Sequence, residues 1–379
     1  MVTEPESNPV RCPAIAHPEV GLADPADFDA LLARLSEPGE VTGTEDFPRG
    51  TLQPDGRLDL CKQGLGPQAA ARVVQAAVRF PHATHLLLGT NGLGSDGARA
   101  VADALAPGHH VQTVYLGCNR IDADGAGALA DRLAGDRTVR ALWLKRNPIG
   151  DAGVSRLCAA LSGNTTLRTL DLVNTGLTRH GLAELAGTLA ARETPLERLF
   201  LGGNGLRPDA VPALAAIVRE GGVRELYLAA NHLGDAGAAA LAEAVAGLPM
   251  TLGLGGNGLT PAGVAALAAR LSAWRALDLA RPPSERALGA LPNTVADEGA
   301  AALAAALPGS RLRRLDLRFT GITGRGAKLL LAALSDDLPL RYLGINGGVP
   351  RRLRRLAGAT LGPVEQPHPD ISAIASVYR

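Results

Sequence analysis

The sequence predicts an α/β fold, a right-handed solenoid with a parallel sheet of about eleven strands on its concave side and helices on its convex side. Three observations predict it. A 20-residue pattern recurs at near-constant spacing, a strand-like triplet opens each copy, and a helix-like stretch closes it.

The clearest copies are LLLGTNGLGSDGARAVADAL from Leu86, VYLGCNRIDADGAGALADRL from Val114 and LWLKRNPIGDAGVSRLCAAL from Leu142. Further on stand LFLGGNGLRPDAVPALAAIV from Leu199, LYLAANHLGDAGAAALAEAV from Leu226 and LGLGGNGLTPAGVAALAARL from Leu252. Asn91, Asn119 and Asn147 are spaced by 28, Thr175 stands 28 further on, and Asn204, Asn231 and Asn257 follow at 29, 27 and 26.

The L-x-L triplet alternates with period two, so its leucines face one side of a short strand and the middle residue the other. The Asn falls where the chain turns out of the strand, and its amide can satisfy backbone groups there. The G-D-A-G segment predicts a helix start, with Asp as cap and Gly for a tight entry. The A-x-A-L-A-x-x-L stretch has helical periodicity and small residues, so that helix can lie close to the strands. A single unit cannot bury its apolar face, whereas stacked units share one core.

Weaker copies start at Leu58, with Gln63 at the Asn position, at Leu170, at Leu315, with Thr320 there, and at Leu343. The copy from Leu277 carries a Pro-rich insertion near 281–294. Pro282 and Pro283 cannot donate backbone hydrogen bonds, which predicts a surface loop. Residues 1–54 lack the repeat and are expected to cap one end, with Asp24 capping a helix that begins at Pro25. The array is expected over 55–349, and a helical cap and tail over 350–379.

Over residues 56–349 these copies resemble the leucine-rich-repeat family, and within it the ribonuclease-inhibitor-like class with long helical repeats. The resemblance implies strands lining a concave face that holds another protein or peptide, without catalysis. Ten gaps of about 4.8 Å give an inner arc of roughly 50 Å, a scale that suits a folded protein or long peptide rather than a metabolite.

The middle residues of the triplets are Asp59, Leu87, Tyr115, Trp143, Asp171, Phe200, Tyr227, Gly253, Asp278, Asp316 and Gly344. The chain has 4 Tyr, 2 Trp and 5 Phe, and four of these aromatics fall on these few positions. Rigid aromatics flanked by charge are typical interface anchors. The expected partner-binding set is therefore Leu87, Tyr115, Trp143, Lys145, Arg146, Asp171, Arg198, Phe200, Glu225 and Tyr227. In it the rings would offer cation–π faces and Asp171 a counter-charge. An alternative makes the chain a carrier whose tail, ISAIASVYR, is recognised or modified by a partner enzyme.

Composition narrows the other classes. Net charge is +1 and charged residues are 20%. Residues 1–50 are acidic and 310–379 basic, read as solvated end regions. The cluster Arg351, Arg352, Arg354 and Arg355 lacks interleaved aromatics, so no nucleic-acid partner is expected. Neither an apolar run of about 18 residues nor an apolar leader stands out, which predicts no membrane span and a cytoplasmic protein. Lys occurs only at 62, 145 and 328 against abundant Arg, Ala and Gly, as in GC-rich bacterial genomes.

Cys12, Cys61, Cys118 and Cys158 form no CxxC and read as reduced structural thiols. His82, His85, His109 and His110 read as surface histidines rather than metal ligands. The GGNG segments at 202–205 and 255–258 precede no GK[ST], so they read as turns rather than phosphate loops. No catalytic residue, metal site or cofactor is expected.

Overall fold

A computed structural model describes residues 8–12, 21–37, 39–282, 288–361, 363 and 365–378. Its contacts divide the chain into two compact units. One comprises Pro9–Leu196 with Pro367–Arg379; the other comprises Glu197–Gln366 with Asn8.

The first unit opens on a 3₁₀ turn, Pro25–Phe28, where the Asp24 carboxylate accepts the Ala26 N–H at 2.9 Å. It continues as α1 (Asp29–Ser36), which buries Leu31 and Leu35. Strands β1 (Glu45–Asp46) and β2 (Thr51–Leu52) then pair antiparallel with each other and with β3 (Arg57–Asp59). These two strands lie before the repeats and were not expected, because two-residue strands leave no periodicity to read. The repeats follow as α2 (Gly66–Ala77), β4 (His85–Leu87), α3 (Gly94–Ala104), β5 (Thr113–Tyr115), α4 (Ala123–Gly135), β6 (Ala141–Trp143), α5 (Gly150–Leu161), β7 (Thr169–Asp171) and α6 (Arg179–Ala191). Strands β3 to β7 are parallel and in strict register. Leu58, Leu86, Val114, Leu142 and Leu170 pair in succession, all at most 1% exposed.

The second unit repeats the plan with β8 (Arg198–Phe200), α7 (Val211–Arg219), β9 (Glu225–Tyr227), α8 (Gly234–Ala244), β10 (Thr251–Gly253), α9 (Pro261–Ala268), β11 (Ala276–Asp278), α10 (Ala296–Ala306), β12 (Arg314–Asp316), α11 (Gly324–Ala332), β13 (Tyr342–Gly344) and α12 (Arg351–Thr360). Its inner row is Leu199, Leu226, Leu252, Leu277, Leu315 and Leu343. Each buried leucine contributes about 1.5–3 kcal/mol. Among the described residues there are thus the eleven repeat strands and two more.

Asparagine side chains tie repeat to repeat. Asn119, fully buried, donates through Nδ2 to the carbonyls of Leu116 and Leu88, both at 2.9 Å, and accepts the Asn91 N–H at 2.8 Å. Asn147 does the same one repeat on. In the second unit Asn231 and Asn257 take these roles. Where Thr replaces Asn, the hydroxyls of Thr175 and Thr320 donate to the carbonyl three residues back.

The irregular copy keeps the ladder. Asn293 accepts the Asn257 N–H at 2.9 Å and donates to Leu254 and Leu279. The insertion therefore ends before Asn293, earlier than expected, and NTVADEG repeats the NRIDADG of residues 119–125. Part of the expected loop, including Pro283, lies outside the described residues.

The helix-start aspartates act differently from the expectation. Asp151 accepts the N–H and hydroxyl of Thr178 in the next repeat, at 2.8 and 2.5 Å. Asp235 holds Thr260 and Asp297 holds Thr323 in the same way. The helices that carry these aspartates, α5, α8 and α10, have no side-chain cap, whereas Asp122, Thr178, Thr260 and Thr323 cap α4, α6, α9 and α11. This crossing bond explains a glycine: a Cβ on Gly181 would stand 2.4 Å from Asp151 Oδ1.

Two features depart from the expected ends. The tail, with α13 (Pro369–Ser372) and a 3₁₀ turn Ala375–Tyr378, belongs to the first unit, whereas α12 belongs to the second. Cys12 and Cys118 are not reduced but form a disulfide, their Cα atoms 5.5 Å apart; Cys61 and Cys158 are free. No helix among the described residues is long and apolar enough to cross a membrane.

Replacing Asn119 by Ala strands two carbonyls and an amide, and is expected to lower unfolding free energy by about 3 kcal/mol in urea denaturation. Thiol titration of the denatured, unreduced protein is expected to find Cys61 and Cys158 only; reaction of all four cysteines would refute the bond.

Candidate functional site

The period-two strands place every middle residue of a triplet outward, and strict register makes rows of them. In the first unit Leu87, Tyr115, Trp143 and Asp171 stand side by side on β4 to β7. In the second, Phe200 pairs with Tyr227 and Arg198 with Glu225 on β8 and β9. The ten expected binding residues thus fall as six in the first unit, including Lys145 and Arg146 beyond β6, and four in the second.

The two rows differ in exposure. Leu87, Tyr115, Trp143 and Asp171 are 0, 3, 1 and 1% exposed, so this row is interior rather than open. The neighbouring outward residues Thr113, Ala141 and Thr169 are also sealed. Phe200, Glu225 and Tyr227 are half-buried and reachable.

The tail meets this row at β7. The Thr169 hydroxyl on β7 donates to Asp370 Oδ2 at 2.6 Å, both residues being buried. Further along, Ser376 and Val377 border a hollow of about 430 Å³ with Phe47, Asp59, Cys61 and Lys62, next to β3. Between these anchors stand β4, β5 and β6, and the tail's Ala373 and Ile374 are 5% and 1% exposed.

Burial governs the charges of the covered row. It pushes the Asp171 carboxyl up to about 6, against the opposing pull of Lys145 and Arg146. It also pulls the Lys145 ammonium down to about 8, against the pull of Asp171. Lys145 Nζ lies 5.6 Å from the centre of the Tyr115 ring, a cation–π contact made within the chain.

The open row is rigid. The Phe200 and Tyr227 rings stack at 4.3 Å between centroids and 5° between planes. Tyr227 donates its hydroxyl to Glu225 Oε2 at 3.0 Å, and Arg198 Nε lies 3.1 Å from Glu225 Oε1. Burial and the Glu225 charge raise the Tyr227 phenol, keeping it a donor. Two strands on, Asp278 and Asp316 are neighbours on β11 and β12, with Arg314 and Arg318 paired to Asp316.

Three of the four clustered histidines, His82, His85 and His109, have structural partners. His82 Nε2 meets the Gln53 carbonyl and His85 Nδ1 the Thr113 hydroxyl, both at 2.9 Å. His109 is buried: Nδ1 accepts the Val111 N–H and Nε2 faces Asp136 at 2.6 Å, so the proton sits on Nε2. Among the described residues no group of three or more His, Cys, Asp or Glu is placed to hold a metal ion.

A family model described as Leucine Rich repeat matches residues 109–130, 135–158, 163–186, 223–242 and 311–331, which are these same strand–turn–helix units. Over those residues the chain carries leucine-rich repeats. Such repeats typically serve as non-enzymatic protein-interaction scaffolds. Among solved structures, the yeast Rad7–Elc1 complex is similar at 14% identity and a TM-score of 0.43, covering 72% of this chain and 77% of that one. Leiomodin-1 actin-binding site 2 is similar at 24% identity and a TM-score of 0.30, covering 34% of this chain and 75% of that one. No curated protein matches the chain.

Three contributors were not expected from the sequence. They are Asp370 with Ile374 in the tail, the Cys12–Cys118 bond, and Asn293. Only Asn293 had a local signal, the NTVADEG match.

Asp278 yields a pH-dependent prediction. Burial and the Asp316 charge push its carboxyl up to about 6 from 3.8. The folded state then binds more protons than the unfolded one between pH 4 and 6, so this group's contribution to stability falls as pH rises through that window. Asp278→Asn keeps the acceptor for the Ala280 N–H. Relative to wild type the variant is expected to gain about 2 kcal/mol by pH 7 and nothing near pH 4, read by denaturation at both pH values.

Proposed function

We propose that this protein is a non-enzymatic binding scaffold, an inhibitor or adaptor, that docks another protein on outward-facing strand residues. The carrying observation is the Phe200–Tyr227 stack, half-buried and held by the Arg198–Glu225 pair. Stacked rings on paired strands lose little conformational entropy on contact, which favours them as anchors. Arg198 and Glu225 then act as supports of the anchor, and the set from Leu87 to Asp171 takes part only where the tail leaves it. The repeat spacing near 28 residues supports placing the chain in the ribonuclease-inhibitor-like class.

The alternative, a carrier presenting its tail to an enzyme, is less favoured because Ala373 and Ile374 are buried. For location, the Cys12–Cys118 bond weighs against the cytoplasmic expectation, since disulfides persist mainly in oxidising compartments.

The test is affinity purification from the native host, then titration of the purified partner against Phe200→Ala and Tyr227→Ala. Each variant is expected to weaken binding at least tenfold with unchanged circular dichroism. Wild-type affinity in both would overturn this placement of the site.

A further inference from the structure

The covered face of the first unit has the properties of an occupied binding site. Its floor is the row Leu87, Tyr115 and Trp143, apolar and aromatic, with the hydroxyl of Thr169 at one end. Its occupant is short and comes from far along the chain: Asp370 is 201 residues from Thr169. That occupant is locally self-organised. His368 Nδ1 accepts the Asp370 N–H at 3.2 Å, Pro369 starts the helical turn, and the Ala373 N–H bonds the Pro369 carbonyl at 2.8 Å. A polar hook is followed by the aliphatic residues Ile371, Ala373 and Ile374, of which the last two are buried.

A segment with this design gains affinity in two ways. The Thr169–Asp370 bond is charge-assisted and sealed from water, so it fixes position and direction. Ala373 and Ile374 lose their exposed apolar surface, which drives seating. The Asp370 charge also reaches His85 on β4, where it opposes the lowering of the ring's pKa by burial.

We propose that the outward face of β4 to β7 is a peptide-binding site whose resident ligand is the chain's own segment 369–377, and that it accepts from a partner protein a helical peptide of the same chemistry. That chemistry is an aspartate in the first turn followed by aliphatic residues at the third and fourth places after it, matching Asp370, Ala373 and Ile374. The inference rests on the scaffold reading but uses a different face from the Phe200–Tyr227 anchor. The tail is the competitor that a partner must displace.

The probe is a fluorescent synthetic peptide of residues 367–379. A protease site replacing residues 361–364 lets the tail be cut after the full chain has folded. The cut tail is expected to stay bound through gel filtration and to exchange with the labelled peptide. Uncut wild type is expected to bind the peptide at least tenfold more weakly than the cut protein. A peptide with Asp370→Ala, or protein with Thr169→Val, is expected to lose about tenfold in affinity. Ile374→Asp in the full chain is expected to free the face for the peptide without cutting.

Peptide-dependent loss of a self-associated form would identify a second copy's tail as the displacing segment and would still support the site. A cut tail that cannot be exchanged, or equal binding by the Asp370→Ala and native peptides, would overturn the proposal. Phe200→Ala and Tyr227→Ala are expected to leave peptide binding unchanged. Failure here and failure of the anchor are therefore read separately.

Discussion

Everything in each unit depends on one side-chain amide placed where the chain leaves a strand. A turn stacked between two others has backbone groups that neither sheet nor helix satisfies, and leaving them bare costs about 1–3 kcal/mol each. Asn meets this need in both directions, donating to carbonyls of its own and the preceding repeat while accepting an N–H. Thr175 and Thr320, with a hydroxyl in place of the amide, donate to the carbonyl of their own turn. The ladder therefore couples nearest neighbours, and stability in such a stack is the sum of these local couplings.

The second coupling runs along the helix starts, from Asp151, Asp235 and Asp297 to a Thr one repeat on. It explains why small residues recur beside each aspartate: the incoming helix must approach within contact of a carboxylate. The G-D-A-G segment was legible as a helix start, but its partner was not. An Asp near a helix start reads as that helix's cap unless the spacing to the next Thr is considered.

Sequence periodicity was enough to locate the eleven repeat strands and the side each residue faces, because Leu-x-Leu alternation and a near-constant period are local facts. The openness of the faces was not legible. It depends on contacts such as Thr169 with Asp370, between residues 201 positions apart. Tyr115 and Tyr227 occupy equivalent places in their repeats, yet one is interior and the other reachable. The same residue type at the same position serves packing in one case and offers an anchor in the other.

The separation of Thr169 from Asp370 also has a meaning in time. Chains are synthesised at about 5–20 residues per second, and units fold as they emerge. A gap of 201 residues then leaves β7 without its cover for about 10–40 s after it is made. During that interval the apolar row from Leu87 to Trp143 faces solvent in every nascent chain. A chaperone or a partner present at the ribosome would meet that surface before the tail does.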